Sequence, residues 1–407
     1  MAHLPEIVLP AFLRERLAQG HPWIYRDHVP PNVRLLSGAW VAVRCGAWRG
    51  YALWDAEGPI ALRIFSTRRP PDTIWLHDQL MRAWELRALL RSAGITAYRW
   101  VFGEGDGLPG ITIDRYGDFA VIQAYSAGAR ILVDDVATIL ARVDPTLRGV
   151  ALRGSAATRP AAYEDQRDAT PDGESGARLR TLHGEAPPRE VVITEHGIRF
   201  AVALYAAQKT GLFLDQRENR RFVEGLAAGR TVLNCFAYTG GFSLYALRGG
   251  ARRVISVDTG KGLAAATQRN LVLNNLDDGR HRFETTDCFE LLEQYAASGE
   301  RFDLVILDPP SFARRKESRF AAQRAYARLN ALGMRCVVSG GLLATASCTT
   351  QVGPEAFREA LAAAGAIADR RLQIIHEAGQ PLDHPAPAHF PEGRYLKFVV
   401  GRVEERV

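Results

Sequence analysis

From about residue 230 onward the chain alternates short apolar runs with helical stretches, and each apolar run ends on a polar residue. TVLNCF, RVISVD, HRFETTD, FDLVILD and GLLATASC have the length and β-branched content of strands. GFSLYALRG, KGLAAATQRNLVLNN, FELLEQYAAS and the long segment AAQRAYARLNALGMRCVVSG separate most of them and read as helices. This alternation predicts an α/β fold built on a doubly wound, mostly parallel sheet. Such sheets bind ligands beyond the carboxyl ends of their strands. The polar residues at those ends are Asn234, Asp258, Asp287, Asp308 and Cys348. One Asp after a strand is commonly a helix cap. Five polar residues at successive strand ends are hard to assign to capping alone.

The first strand-to-helix turn reads Asn234-Cys235-Phe236-Ala237-Tyr238-Thr239-Gly240-Gly241. Its two glycines allow close approach of backbone to a ligand. It is not G-x-G-x-x-G, so the dinucleotide fingerprint is absent and a nicotinamide oxidoreductase carries little weight. Asp258, 24 residues after Asn234, is placed to accept hydrogen bonds from both ribose hydroxyls of a nucleoside cofactor. Asp287 is suited equally to an adenine amino group and to the N-cap of FELLEQY, and both roles can coexist. In Asp308-Pro309-Pro310-Ser311-Phe312 two prolines fix the backbone and remove two donors. That leaves a rigid Asp and carbonyl acceptors, which can grip the amino and ring-nitrogen edge of a base. Cys348 stands at the active edge of the sheet and reads as a nucleophile. Cys45, Cys235, Cys288 and Cys336 read as small buried hydrophobes.

The first 70 residues hold WVAVRC, GYALW and IALRIFS between glycine turns, which predicts a small barrel or sandwich. The first hundred residues carry 13 Arg against 8 Asp and Glu, interleaved with Trp23, Tyr25, Trp40, Trp48, Tyr51 and Trp54. Basic and aromatic residues together suit RNA, although most such rings are expected to fill the core. An amphipathic helix is predicted over 76–93 and a structural turn at GEGDGLPG. Residues 155–190 read as a long polar loop, followed by a hairpin at VVITEHGIRFAVAL. The expected domains are 1–72, a central α/β domain at 73–190, and 191–407.

The net charge of +6 is compatible with a polyanionic partner. Only 4 of the 51 basic residues are Lys, however, and a bias so strong can reflect genome composition. Five scattered cysteines without a C-x-x-C pair argue against a disulfide framework or a metal site. No apolar run approaches the roughly 18 residues of a membrane span, and the first residues do not read as a secretory signal. The cytoplasm is the expected compartment.

The motifs GHPWIY, DGLPGITIDRYGD, QKTGLFLDQRENRR, NCFAYTGGFS, DPPSFA, ASC and HPAPAHFPEGRYLKFVV together resemble the bacterial PUA-domain ribosomal RNA large-subunit methyltransferases. The members most resembled make 5-methylcytosine. The resemblance covers nearly the whole chain and is weakest through 155–180. It implies a PUA-like RNA-binding domain at 1–72 and a Rossmann-like class I methyltransferase domain at 191–407, ending in an antiparallel strand at YLKFVVGRV. S-adenosylmethionine would lie against Asn234, Phe236, Ala237, Tyr238, Thr239, Gly240, Asp258 and Asp287, with Asp308 at its border. Asp308 would also orient the target base, and Cys348 would be the nucleophile. Lys209, Arg217, Pro309, Ser311, Phe312 and Lys316 would face the RNA. Ribosomal RNA is the implied partner, and a homodimer is compatible.

Carbon 5 of cytosine is a poor nucleophile until a thiolate adds at carbon 6. In another 5-methylcytosine group the residue corresponding to Ser311 is a second cysteine that aids product release. Its replacement by Ser leaves open which group removes the carbon 5 proton, and nothing in the sequence shows what stabilises the Cys348 thiolate. Two rival readings remain: methylation of guanine or a base nitrogen, and an inactive RNA-binding relative.

Overall fold

A computed structural model describes residues 4–154, 179–205, 211–312 and 318–406. The chain divides into two compact units. One comprises Met1–Glu195, Val202–Leu214 and Leu382–Gly393; the other comprises His196–Ala201, Asp215–Pro381 and Arg394–Val407. Among the described residues no helix is long and apolar enough to cross a membrane.

The first unit holds two five-stranded sheets. The earlier one is formed by β1 (Glu6–Val8), β2 (Trp23–Tyr25), β3 (Trp40–Cys45), β4 (Trp48–Trp54) and β5 (Ile60–Ser66), in the order β1-β3-β4-β5-β2. Alternation in WVAVRC puts Val41, Val43 and Cys45 inside, with Ile24, Ala52, Trp54 and Leu62. A short helix, α1 (Arg14–Ala18), adds Leu17 to this core. Of the interleaved aromatics only Trp54 is fully buried, and its indole N–H donates to the Leu35 carbonyl at 3.0 Å. The other five are half-buried.

The second sheet has the order β10-β9-β8-β7-β6 and is built from β6 (Ala97–Phe102), β7 (Ile111–Tyr116), β8 (Phe119–Ala124), β9 (Gly149–Arg153) and β10 (Leu179–Gly184). The helical stretch expected over 76–93 is two helices, α2 (Thr73–Leu86) and α3 (Ala88–Ser92). Asp72 caps the first by accepting from Trp75 N–H at 2.7 Å. The break falls at Arg87, whose fully buried guanidinium pairs with both oxygens of Asp106 at 2.5 and 2.7 Å. Asp106 closes the 3-10 turn Gly103–Asp106 within GEGDGLPG. A tertiary ion pair thus overrides a continuous apolar stripe. α4 (Val133–Val143) packs its apolar face on the same core.

The polar loop expected at 155–190 is corrected in part, because β10 lies inside it. This strand pairs antiparallel with β9 at the sheet edge, and its side chains LRTLHG are half-buried or exposed. Main-chain hydrogen bonds hold it, and a polar composition conceals it. Residues 155–178 lie outside the described residues. Two more strands follow, β11 (Val191–Glu195) and β12 (Ile198–Val202), separated by a turn at His196 and Gly197 with φ of 46° and 81°.

The second unit contains α5 (Arg217–Glu224) and a seven-stranded sheet. In chain order its elements are β13 (Thr231–Cys235), α6 (Gly241–Arg248), β14 (Arg253–Val257), α7 (Leu263–Leu273), β15 (His281–Glu284), α8 (Cys288–Ser298), β16 (Phe302–Leu307), α9 (Arg319–Arg335), β17 (Val337–Ser347), α10 (Pro354–Ala368), β18 (Arg370–Ala378) and β19 (Lys397–Glu405). The order is β15-β14-β13-β16-β17-β19-β18. The first five strands are parallel, while β19 runs antiparallel to both β17 and β18. This is the expected Rossmann-like arrangement. Strand order reverses between β13 and β16, which makes their carboxyl ends the switch point. Helix α9 stops at Arg335, short of the expected Gly340. Val337–Gly341 joins β17 through a register irregularity against β16, where Gly340 adopts φ 80°.

Candidate active site

The turn after β13 stores backbone strain. Phe236 and Tyr238 have φ of 60° and 49°, and Gly240 has 79°. Left-handed conformations at two non-glycine residues cost free energy and concentrate at functional turns. Asp258, just beyond β14, holds the turn: one oxygen accepts Tyr238 N–H at 2.9 Å and the other Gly260 N–H at 3.0 Å. Gly240 is required by packing as well as by φ, since a Cβ there would sit 2.6 Å from Thr267 Cγ2. A Cβ on Gly241 would press on Arg220 Cδ at 3.0 Å. Both glycines therefore serve helix packing directly. Thr239 offers its carbonyl to Asn270 Nδ2 at 3.0 Å, and Ala237 N–H donates to Val257 at 3.0 Å.

Asn234 is buried, and its Nδ2 donates to Ser243 Oγ at 2.9 Å. Ser243 contacts Ser256 at 2.7 Å, and Ser256 contacts His281 Nε2 at 2.8 Å. This chain crosses β13, α6, β14 and β15 and fixes the Asn234 amide; its Oδ1 has no partner among the described residues. Burial pulls the His281 ring down to a pKa of about 4 from the ordinary 6.5, so the ring is neutral in the native state. The unfolded chain then binds more protons between those values. Stability is complete above pH 6.5 and falls as the pH drops towards 4, by ~3 kcal/mol at the lower limit. In thermal melts, the advantage of the wild type over His281→Gln should narrow steadily from pH 7 to pH 4.5. A pH-independent gap excludes the titration.

Asp287 caps α8, with Oδ1 accepting from Phe289 and Glu290 N–H at 2.8 and 3.2 Å, and its residue is exposed. The capping role anticipated for it is realised in this geometry.

Asp308 follows β16 directly and is half-buried, with Pro309 buried behind it. Its Oδ1 accepts from Gln216 Nε2 at 2.8 Å, and Asn219 Nδ2 holds Gln216 Oε1 at 2.6 Å. Gln216 closes a 3-10 turn, Leu214–Gln216, that leads into α5. Its neighbour Asp215 accepts from Tyr395 OH at 2.6 Å. Ser311 and Phe312 are half-buried, and the Phe312 ring packs 4.8 Å from Tyr326. Arg217, expected to face RNA, is fully buried and donates through Nε to Glu218 at 3.1 Å. Lys209 and Lys316 lie outside the described residues.

Cys348 follows β17 and alone among the cysteines is not buried. Burial raises the Cys45 thiol and pushes Cys336 up to about 12; contact with Cys288 and burial raise Cys235. Tyr326 of α9 is fully buried, its hydroxyl faces Ser347, and the Cys348 and Asp308 charges act on it. Neither hydroxyl meets hydrogen-bond geometry with any partner among the described residues. Burial, together with the Cys348 and Asp308 charges, raises the Tyr326 pKa above that of an ordinary phenol, so the group is a neutral hydroxyl. Unpaired buried hydroxyls beside a thiol and a carboxylate mark a place for a polar ligand edge or water.

Sequence reasoning gave no individual role to Gln216, Tyr326, Ser347 and Lys397. Gln216 and Lys397 lie in the motifs QKTGLFLDQR and GRYLKFVV, where a site was signalled without an assignment. Tyr326 carries no such signal.

A parallel sheet with an antiparallel final pair, carboxylates at its switch edge and no dinucleotide fingerprint define a Rossmann-like methyltransferase. The profile of the S-adenosylmethionine-dependent methyltransferases matches residues 170–385, and that of PUA-like domains matches residues 7–67. The ribosomal RNA large subunit methyltransferase I of Erwinia tasmaniensis is 36% identical over 98% of this chain and 99% of its own. That of Shewanella denitrificans is 38% identical over 96% and 97%. A SAM-dependent methyltransferase structure from Streptococcus mutans superposes with TM-score 0.82 at 23% identity, covering 98% of this chain and 100% of that one. A methyltransferase structure complexed with SAH superposes with TM-score 0.84 at 24% identity over the same shares. These two likenesses concern the fold. The chain belongs to the S-adenosylmethionine-dependent methyltransferases with a PUA-like domain, in the family of the ribosomal RNA large subunit methyltransferases I.

Its cofactor is S-adenosylmethionine, and the donor set at the switch edge fits that molecule. Asp258 spends one bond per oxygen on backbone N–H groups, and each oxygen retains acceptor capacity for a ribose hydroxyl.

Proposed function

We propose that this enzyme methylates carbon 5 of a cytosine in large-subunit ribosomal RNA, with Cys348 as nucleophile. The observation that carries the reading is the placement of Cys348 and Asp308 directly after the adjacent parallel strands β17 and β16, both near enough to Tyr326 for their charges to act on it. The rRNA substrate is supported by the names of the relatives.

In this reading Asp258 holds the cofactor ribose and the 234–240 turn lies along the cofactor, with Asp287 at the adenine. S-adenosylmethionine supplies an electrophilic methyl group. The Cys348 thiolate forms a bond to carbon 6, which makes carbon 5 enamine-like and able to attack that methyl group, the methyl–sulfonium bond breaking so that S-adenosylhomocysteine would leave. Asp308, oriented by Gln216, grips the ring-nitrogen edge and favours its protonation as the adduct forms. Loss of the carbon 5 proton and cleavage of the carbon 6–sulfur bond then return the thiolate. The neutral Tyr326 and Ser347 hydroxyls are suited to hold a water that receives this proton. The base reaches the pocket unstacked. Pro309, Ser311, Phe312 and Arg217 act as supports around it, and residues 1–72 as the RNA-binding domain.

Mass mapping of ribosomal RNA from cells with and without the gene tests the reading. The expected difference is one 5-methylcytosine in the large-subunit RNA. A lost methyl on guanine or a base nitrogen supports the rival chemistry, and no difference supports an inactive relative.

A further inference from the structure

Lys397 is the first residue of β19 and lies opposite Ser347 in its antiparallel pairing with β17. Its side chain therefore reaches the end of β17, where Cys348 follows. The residue is buried at 6% exposure. Its Nζ donates to the Tyr395 carbonyl at 2.8 Å and to the carbonyl of Thr349, the residue after Cys348. No carboxylate lies within ion-pair distance of it among the described residues. An ammonium group taken out of water without a counter-charge is costly, and carbonyl dipoles offset only part of that cost. Such a cation asks for an anion, and the anion-forming neighbour that acts on it is Cys348.

We infer that Lys397 is the positioning residue that holds Cys348 as a thiolate, through an ammonium–thiolate pair at the junction of β17 and β19. The inference rests on the reading of Cys348 as the nucleophile. Among the described residues, Asp308, Tyr326 and Lys397 are ionisable groups placed near this end of the sheet. Asp308 follows β16 and Tyr326 belongs to α9; negative charge on either near Cys348 would disfavour the thiolate. Lys397 from β19 favours it. Burial draws the amine down to about 8, against the raising effect of Cys348, so its proton is exchangeable near neutral pH. On ionisation the sulfur proton passes to water, or to Lys397 when the amine is neutral; either route leaves thiolate beside ammonium. The charge balance is restored when the carbon 6–sulfur bond breaks at the end of a turnover. The four other cysteines are buried, which leaves Cys348 as the thiol open to a small alkylating reagent.

The test follows the alkylation rate of Cys348 by iodoacetamide in the full chain without RNA, read by peptide mass spectrometry from pH 5.5 to 10. The wild-type midpoint should lie below the ~8.5 of an ordinary thiol. In Lys397→Gln it should rise by about one unit or more, cutting the rate at pH 7 roughly tenfold. Lys397→Arg, which keeps the charge, should stay within about half a unit of wild type. A wild-type midpoint at or above the ordinary value overturns the inference even where Lys397→Gln does not fold. An unchanged midpoint in folded Lys397→Gln does the same. If instead Cys348→Ala retains turnover, the nucleophile reading fails, while the alkylation midpoints still report whether the pair exists.

Discussion

Cys348→Ala should bind S-adenosylmethionine as wild type does and lose methyl transfer by roughly 10³-fold or more, because the side chain is assigned to bond formation and not to cofactor affinity. An RNA carrying 5-fluorocytosine at the target gives the sharper result. Fluorine at carbon 5 does not leave as a proton does. Methyl transfer proceeds, elimination stalls, and a covalent protein–RNA adduct should survive a denaturing gel. Cys348→Ala should form none. Cys235→Ala and Cys288→Ala should still form it, since both residues, at the end of β13 and the start of α8, are buried packing groups. Near-normal turnover by Cys348→Ala, with no trapping in the wild type, removes the cytosine-5 mechanism and leaves the methyltransferase fold untouched.

Asp258→Ala should weaken S-adenosylmethionine binding by about 1–3 kcal/mol, measured by calorimetry on the full chain, with no change in RNA affinity. Two losses combine. In the proposed cofactor pose the ribose hydroxyls lose their acceptor, and Tyr238 N–H loses the bond that ties a left-handed residue into the turn. Asp258→Asn separates the two contributions. It keeps one carbonyl acceptor for a backbone N–H but turns an NH₂ towards the other, so the turn is only partly supported. Asp258→Ala should therefore bind more weakly than Asp258→Asn, and both more weakly than wild type. If Asp258→Ala binds the cofactor at wild-type affinity, the ribose lies elsewhere on the sheet edge.

The residues that local chemistry can mark were legible before folding. Asn234, Asp258, Asp308 and Cys348 each close an apolar run, and the structure sets all four at the carboxyl ends of β13, β14, β16 and β17. Strand period, strand length and the rigid Asp-Pro-Pro step are properties of short segments, so they survive in one dimension. The same locality explains the errors. The helix over 76–93 is broken at Arg87 by Asp106 from a later turn, and β10 hides in a polar run because main-chain pairing gives no compositional sign.

Composition and pattern determined by themselves the class of sheet, the polar residues at its strand ends, and which cysteine stands there without being buried. The tertiary structure decided what those residues face. Gln216 meets Asp308 because the turn before α5 returns to the end of β16. Tyr326 comes within range of the Cys348 charge because α9 packs against β16 and β17. Lys397 reaches the Thr349 carbonyl, one residue past Cys348, because the register of β19 on β17 sets it opposite Ser347. Each of these contacts joins segments far apart in the chain. Their partners are selected by hydrogen-bond register and core packing, quantities that exist only once the sheet has closed.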